Sequence, residues 1–377
     1  MVQGSRHALL VPVVTGALLL VAAWPREAAS HNPVTTTVTF NREIAPLVER
    51  KCLSCHVEGG MAMSLTTWAE ARPWAVAIKE EILARRMPPW QAEHGYGAFA
   101  NDVGLTSREF DFLLSWIDGG VPRGDGDDPS PVDHSRHWMM GEPDAVAASP
   151  GGVTVEAGRP AGFMRLLVDT GLDRDVWLRA IDYKPGDRRV ARAAFFSVAG
   201  TGQYLGGWTP WMSPAALPEG MAVRLPAGAR IAVDVLDRGI GSTVVDRPSL
   251  GLYVAADAPP RPVTSLVLDA PATRPAPGGR VRAELVVQTE TTLLSLRPEL
   301  GEAGAWVEVK ARRPDGSIQV LLWIREFQPE WQTPYVFREP VVLPPGSAIV
   351  ATAGFGGEPA GGRAPRFAVH LTAHQAS

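Results

Sequence analysis

Apolar residues in the first third of the chain recur at helical spacing. Ile44, Leu47 and Val48 lie three and four positions apart, the pattern of one buried helix face. Two further runs with helical spacing occupy positions 74–82 and 110–117. Capping-box pairs, each a threonine followed three residues later by a glutamate, precede these runs at Thr67 with Glu70 and at Thr106 with Glu109. The pattern predicts a small all-α region in the first third of the chain.

The hydrophobic pattern changes after about position 150 to short β-type runs between Gly and Pro turns. These runs include positions 177–181, 230–235, 250–254, 282–287, 306–310 and 320–324. Short strands with frequent turns and few helical segments predict antiparallel β-sandwiches. Prolines concentrated between positions 259 and 277 mark a boundary between two such sandwiches.

The helical region contains the sequence Cys52-Leu53-Ser54-Cys55-His56, called the CxxCH motif below. Two cysteines at this spacing can each form a thioether with haem, and the histidine that follows can ligate the iron. These are the only two cysteines in the chain, which argues against a chance match. The motif predicts a covalently bound c-type haem. A redox dithiol and half of a zinc site are the alternatives.

The sixth iron ligand is predicted to be Met87, which follows the end of a helical run and precedes two prolines. A thioether sulfur favours ferrous iron and raises the reduction potential, which suits electron transfer. Met61, Met63 and His94 are alternative ligands. An open distal position is a further alternative, and it would indicate a sensor or a peroxidase.

The N-terminal segment has the pattern of a secretory signal peptide. Arg6 and His7 precede an apolar run at positions 8–24, and small residues at 28–30 provide a cleavage site. Cleavage near Ser30 would export the mature chain to the periplasm or beyond, where c-type haem is attached. An uncleaved anchor is the alternative.

The bulk composition excludes two classes of partner. The formal net charge is −4 and no run rich in lysine or arginine occurs, so nucleic acid is not expected as a ligand. No second apolar stretch has the length of a membrane-spanning helix, so no membrane span is expected in the mature chain.

Distinctive stretches surround the CxxCH motif. They are FNREIAP at 40–46, EARPW at 70–74, MPPW at 87–90 and WIDGG at 116–120. Together they resemble the cytochrome domain of bacterial proteins in which it is fused to a copper type II, ascorbate-dependent monooxygenase-like module. The resemblance implies a tandem pair of jelly-roll-like sandwiches after the haem domain, similar to peptidylglycine hydroxylating and dopamine β-monooxygenases.

The copper ligands that the resemblance implies are missing from this sequence. Copper monooxygenases of this type bind two separate coppers through imidazoles and one thioether. The chain has eight histidines, but none lies between Trp138 and Val369. The family's histidine positions correspond here to Arg192-Ala193, Leu236 and Glu299. The β-rich part is therefore predicted to be copper-free.

The predicted fold class is multidomain, with a small all-α cytochrome c domain followed by two antiparallel β-sandwich domains of jelly-roll type. The predicted boundaries are 1–30 for the signal peptide, 31–122 for the cytochrome c domain, 123–150 for a linker, 151–258 for the first sandwich and 262–374 for the second.

The leading functional hypothesis is an exported c-type cytochrome that transfers single electrons. The predicted haem-binding residues are Cys52, Cys55, His56 and Met87, and the β module would serve in binding or scaffolding. One alternative is an active haem and copper oxidoreductase that depends on ascorbate. The other is a haem sensor or peroxidase with an open distal site. The sequence does not identify the redox partner protein.

Overall fold

A computed structural model describes most of the chain after its N-terminal segment. The described residues are 35–128, 138–149, 151–212, 216–270, 279–301, 304–356 and 366–376. The predicted signal peptide at 1–30 lies outside them, as does the middle of the predicted linker at 129–137. No helix in the described ranges has the length and apolar character needed to cross a membrane.

Short helices form the first part of the described chain. They are a π-helical turn at Phe40–Ile44, α1 at Ala45–Lys51, α2 at Trp68–Ala71, α3 at Ala75–Leu83 and α4 at Ser107–Asp118, with a 3₁₀ turn at Arg72–Trp74. A second 3₁₀ turn, Pro329–Trp331, lies in the β-rich part. Both predicted capping boxes are confirmed, because Thr67 caps α2 and Thr106 caps α4, each with the glutamate three residues later.

Eighteen strands follow in the described residues, from β1 to β18. The first nine are Ala145–Ala148, Val153–Val155, Gly162–Asp169, Val176–Lys184, Ala191–Val198, Tyr204–Trp208, Met221–Leu225, Arg230–Asp237 and Val244–Asp246. The second nine are Ser249–Val254, Arg261–Asp269, Arg280–Val286, Thr291–Leu300, Gly304–Arg312, Ile318–Ile324, Tyr335–Leu343, Ala348–Phe355 and Phe367–Gln375.

One eight-stranded sheet extends through the whole β-rich part, in the order β1-β10-β4-β7-β11-β18-β13-β16. Its centre is a parallel pairing of β7 with β11, which aligns Met221 with Arg261 and Val223 with Val263. A four-stranded sheet, β3-β8-β5-β6, and a second one, β12-β17-β14-β15, complete the two sandwiches. A two-stranded ribbon of β2 and β9 lies beside the first.

Each half of the long sheet contributes to a separate hydrophobic core. The first core includes Leu178 and Leu252 of the long sheet, together with Phe196 and Val233 of the first four-stranded sheet. The second core includes Leu296 and others from the far half of the long sheet. Burial alternates along strands such as β12, as expected where one face of a sheet covers a core.

The predicted fold class is wrong. Strands make up 42% of the structure and helices only 14%, and the described chain contains no separate small all-α domain. The segment between α3 and α4 instead packs into the second β core, where Trp90, Ala92 and Phe99 are buried. Isolated β-bridges join Ala92 to Ile324 and Phe99 to Phe337.

The physical reason for this difference is the shortness of the helices. Helices of four to twelve residues share a small core of their own around Phe40 and Trp116, but the aromatic side chains between α3 and α4 pack against the larger core of the sandwich. The rings of Trp90 and Tyr335 lie 5.1 Å apart, and those of Phe99 and Tyr335 lie 5.2 Å apart. The two sandwiches are likewise joined, because they share the eight-stranded sheet.

Candidate functional site

The CxxCH motif folds as a tight turn at the end of α1. The backbone N–H of Cys52 donates to the carbonyl of Val48 at 2.8 Å, so helical bonding reaches the first cysteine. The N–H groups of Cys55 and His56 then both donate to the carbonyl of Cys52, at 3.1 and 3.0 Å. This turn places the two thiols and the imidazole along the wall of one cavity.

That cavity, called the CxxCH cavity below, has a volume of about 240 Å³. Its lining includes all four of the predicted haem-binding residues, Cys52, Cys55, His56 and Met87. Apolar side chains of α1, α3 and α4 form much of the rest: Val48, Ile78, Ile82, Leu113 and Trp116. The alternative sixth ligands Met61 and Met63 also line it, whereas His94 does not.

Both cysteines are free thiols in half-buried residues. Burial raises the pKa of Cys52 to about 12, and the neighbouring Cys55 acts in the same direction. Burial also raises the pKa of Cys55, although Ser54 and two arginines act in the opposite direction. A redox dithiol needs a thiolate near neutral pH, so this environment does not suit thiol–disulfide exchange.

The imidazole of His56 is held in one orientation by the backbone. Its Nδ1 lies 3.0 Å from the carbonyl oxygen of Met63, and an oxygen of this kind can only accept, so Nδ1 donates. Burial lowers the pKa of His56, while the bond to Met63 acts in the opposite direction. The result is a neutral imidazole whose Nε2 keeps its lone pair, the form that ligates a metal ion.

Met87 reaches the cavity from the end of α3. The backbone N–H groups of Arg86 and Met87 both donate to the carbonyl of Glu81, which closes the helix end. The chain then turns, with the N–H of Trp90 donating to the carbonyl of Pro88 at 2.7 Å. The helix end and the turn together hold the Met87 thioether at the same cavity as the CxxCH motif.

The β-rich part supplies another part of the cavity wall, which the sequence did not indicate. Arg192 of β5, Arg238 after β8, Trp211 and Trp331 all line the cavity. The rings of Trp211 and Trp331 lie 5.5 Å apart and are steeply inclined to each other, at 68°. In the sequence, Arg192 stands out only as a replacement for a histidine, and no local signal links it to a cysteine far away in the chain.

A hydrogen bond also joins the two regions beside the CxxCH motif. The Arg188 guanidinium donates from Nη2 to the carbonyl of Ser54 at 3.0 Å. Ser54 lies between the two cysteines, so this bond holds the turn of the motif against the first sandwich. The candidate site is therefore built from both the helical and the β-rich regions.

The positions that correspond to copper ligands in the resembled family lie in two places. Ala193 pairs with Leu236 across β5 and β8, and both side chains are buried. Glu299 on β13 lies 2.9 Å from Nε2 of His370 on β18. Within the described ranges, no group of three or more His, Cys, Asp or Glu side chains is arranged to hold a metal ion.

The Glu299 carboxylate belongs to a partly buried network of charges. Burial alone would raise its pKa, but the His370 hydrogen bond, then Arg297 and Arg366, lower the pKa to about 2. The Arg297 guanidinium lies 3.6 Å from the centre of the Phe195 ring, where a cation contacts the aromatic face. This network joins the outer face of the second sandwich to the first.

Comparisons with known proteins are limited to weak structural likeness. No model of a protein family matches the sequence. No curated protein matches it either. Among solved structures, the chain is similar to the major capsid protein P2 of bacteriophage PM2, with 8% identity and a TM-score of 0.30 over 62% of this chain and 98% of the other.

Two further solved structures show weaker likeness. A xanthan lyase of Paenibacillus has 9% identity and a TM-score of 0.20, over 68% of this chain and 28% of the lyase. A carbohydrate-binding module of the β-sandwich superfamily has 12% identity and a TM-score of 0.17, over 62% of this chain and 98% of the module. Similarities at this level support no conclusion about the fold or function of this chain.

Proposed function

We propose that this protein is an exported c-type cytochrome that transfers single electrons. Cys52 and Cys55 bind the haem covalently, His56 ligates its iron and Met87 is the sixth ligand. The observation that carries the proposal is the CxxCH cavity, because Cys52, Cys55, His56 and Met87 all line it although Met87 lies far from the motif in the chain.

The residues of the cavity fit a covalently bound haem. Both thiols are free, so each has a sulfur that can form a thioether. The His56 imidazole has its Nδ1 engaged by a backbone carbonyl, which leaves Nε2 for a metal. The walls between these groups are largely apolar, which suits the macrocycle and keeps water away from it.

A bound haem supplies an iron that exchanges one electron between its ferric and ferrous states. The protein's own residues set the conditions for that exchange. The Met63 carbonyl orients the His56 ring through Nδ1. The Met87 sulfur favours ferrous iron and raises the reduction potential. Apolar side chains such as Ile82 and Leu113 exclude water from the site.

Two further elements belong to the proposal. The chain acts outside the cytoplasm, because the N-terminal pattern is that of a signal peptide and haem is attached to a CxxCH motif after export. The β module is copper-free and serves in binding or scaffolding, since Arg192, Leu236 and Glu299 replace the histidines of the resembled family.

The test is the absorption spectrum and metal content of the full chain, expressed in cells that export and mature c-type cytochromes. We expect a pyridine haemochrome spectrum typical of two thioether bonds, with iron equimolar to protein. The matched control is a variant with both Cys52→Ala and Cys55→Ala, which should carry no covalent haem. Absence of the thioether-type spectrum from the wild-type protein would overturn the proposal, and equimolar copper would favour the ascorbate-dependent oxidoreductase instead.

A further inference from the structure

Arg192 is a buried cation without a carboxylate partner in the described part of the chain. It lies on β5 and is only 7% exposed. Its Nη1 donates to the backbone carbonyl of Arg189 at 3.0 Å, and no described carboxylate approaches it within 4 Å. Burial lowers its pKa and the nearby Arg238 lowers it further, whereas Cys55 and, from beyond ion-pair distance, Glu330 act in the opposite direction. A buried charge of this kind is unfavourable unless an anion compensates it.

The position of Arg192 indicates where that anion belongs. The residue lines the CxxCH cavity together with Cys55, and Arg238 lines the same cavity. Arg238 is more exposed and forms an ion pair with Glu330 at 3.3 Å. Two guanidinium groups of the β module therefore lie at one cavity whose other walls are mostly apolar.

The remaining charged groups of the cavity already have partners. Glu81 accepts two hydrogen bonds from the Arg86 guanidinium, both at 2.8 Å. The Lys51 ammonium is only half-buried, donates to the carbonyl of Gly104 at 2.9 Å, and lies close enough to Glu109 to lower the pKa of that carboxyl. Arg192 is thus a buried cation of the cavity with no described carboxylate within ion-pair distance.

We propose that Arg192 binds a carboxylate of the haem, so that the β module completes the haem site and raises its reduction potential. This inference rests on the proposed function, because haem is a ligand that brings both an apolar macrocycle and two carboxylates to one cavity. A guanidinium binds a carboxylate through paired hydrogen bonds. A positive charge near the iron also favours the less positive ferrous state.

The resemblance to copper monooxygenases implies a copper-ligating histidine at the position of Arg192. An arginine cannot ligate copper in this way, but it can pair with an anion from the neighbouring helical region. The β module would then contribute to the redox site through charge.

The experiment is a spectroelectrochemical titration of the purified, haem-loaded full chain at constant pH and salt. We expect Arg192→Met and Arg192→Gln each to shift the reduction equilibrium towards ferric iron by about tenfold, which is about 59 mV for one electron. Arg192→Lys, which keeps the charge, should remain closer to the wild type. Arg189→Gln is the matched control, because Arg189 is exposed and already pairs with Asp187.

The outcomes separate this inference from the proposed function. If the wild-type chain carries no covalent haem, the proposed function fails first. If it carries haem but both charge-removing variants keep the wild-type potential, only the role of Arg192 is overturned. Arg192→Met removes a buried charge in favour of an apolar chain of similar length, so it should fold even if Arg192→Gln does not. If added phosphate at constant ionic strength changes the wild-type potential and Arg192→Met abolishes that change, a free anion occupies the site and the proposal is wrong.

Discussion

The helical region and the β-rich region contribute different things to the candidate site. The helical region holds every residue proposed to attach or ligate haem, including Cys52, His56 and Met87. The β-rich region has no histidine between Trp138 and Val369, yet it provides charged and aromatic side chains to the same cavity. One region supplies ligands, and the other supplies charge and enclosure.

This difference teaches that a region without the predicted haem ligands can still form part of the wall of the candidate site. The β-rich region has no histidine over most of its length, but its arginine and tryptophan side chains line a cavity that also contains the CxxCH motif. The two regions are also packed together, since the segment around Trp90 and Phe99 lies in the second β core. Three predictions test how far this division extends.

The largest expected effect concerns the sixth ligand, which tests whether ligation belongs wholly to the helical region. Met87→Ala should convert ferric haem from low spin to high spin and allow the reduced form to bind carbon monoxide readily. The reason is that removal of the thioether leaves one axial position open. Absorption spectra of the purified variant, with and without carbon monoxide, measure both changes.

Met61→Ala and Met63→Ala are the controls for this prediction, because both side chains line the same cavity. Both variants should stay low spin. Met63→Ala should also keep the bond to His56, since that bond uses the backbone carbonyl. If Met87→Ala stays low spin and either Met61→Ala or Met63→Ala becomes high spin, the ligand is the methionine whose removal produces the high-spin form, and the prediction for Met87 is wrong.

The second prediction tests whether the two regions unfold together. Phe99 is 3% exposed and its ring lies 5.2 Å from that of Tyr335 and 5.7 Å from that of Phe337. Phe99→Ala should lower the free energy of unfolding by about 3–5 kcal/mol, the usual cost of removing a buried phenyl group. Urea unfolding, followed both by haem absorbance and by circular dichroism of the β-rich region, measures the cost.

Tyr96→Ala is the matched control for Phe99→Ala, since Tyr96 lies in the same segment but is 44% exposed. It should change the free energy of unfolding by less than about 1 kcal/mol. If the two regions were independent, Phe99→Ala would shift only one of two separate transitions. Coincident transitions that both move to lower urea would show that the regions are coupled.

The local parts of the structure were predictable from the sequence, because short-range chemistry specifies them. The capping boxes at Thr67 and Thr106 follow from a hydroxyl and a carboxyl three residues apart. The turn of the CxxCH motif likewise needs only five consecutive residues, and the place of Met87 after a helix end could be predicted locally, whereas its role as an iron ligand stays a prediction. In each of these cases the partners lie within a few positions in the chain.

The contacts between distant parts of the chain were not predictable, because hydrophobic periodicity does not show which helices and strands pack together. The contact of Arg188 with Ser54 joins residues 134 positions apart. The packing of Phe99 against Phe337, which overturned the all-α domain, joins residues still further apart. The position of Arg192 at the cavity was not predictable for the same reason. Pairing with neighbouring strands positions β5, and no sequence motif marks it.

The smallest expected effect concerns the buried charges of the β-rich region and tests whether they are structural. The pKa of Glu299 is about 2 in the folded protein, against an ordinary value of 4.5. A carboxyl whose folded pKa is lowered stabilises the fold above its unfolded pKa, and this contribution is lost as the pH falls from about 4.5 to about 2. Since one pKa unit corresponds to ~1.4 kcal/mol, the contribution near neutral pH is of the order of 3 kcal/mol.

Glu299→Gln should therefore lower the free energy of unfolding most at neutral pH, and its difference from the wild type should shrink as the pH approaches 2. Urea unfolding at several pH values between about 7 and about 2.5 measures this convergence, with Glu339→Gln as an exposed control that keeps the wild-type pH dependence. A constant difference at every pH would mean that the charge of Glu299 does not stabilise the fold. If the stabilities of Glu299→Gln and the wild type converge at low pH and the variant keeps the wild-type reduction potential, the Glu299 network stabilises the packing of the sandwiches. The charge that acts on the haem would then be that of Arg192.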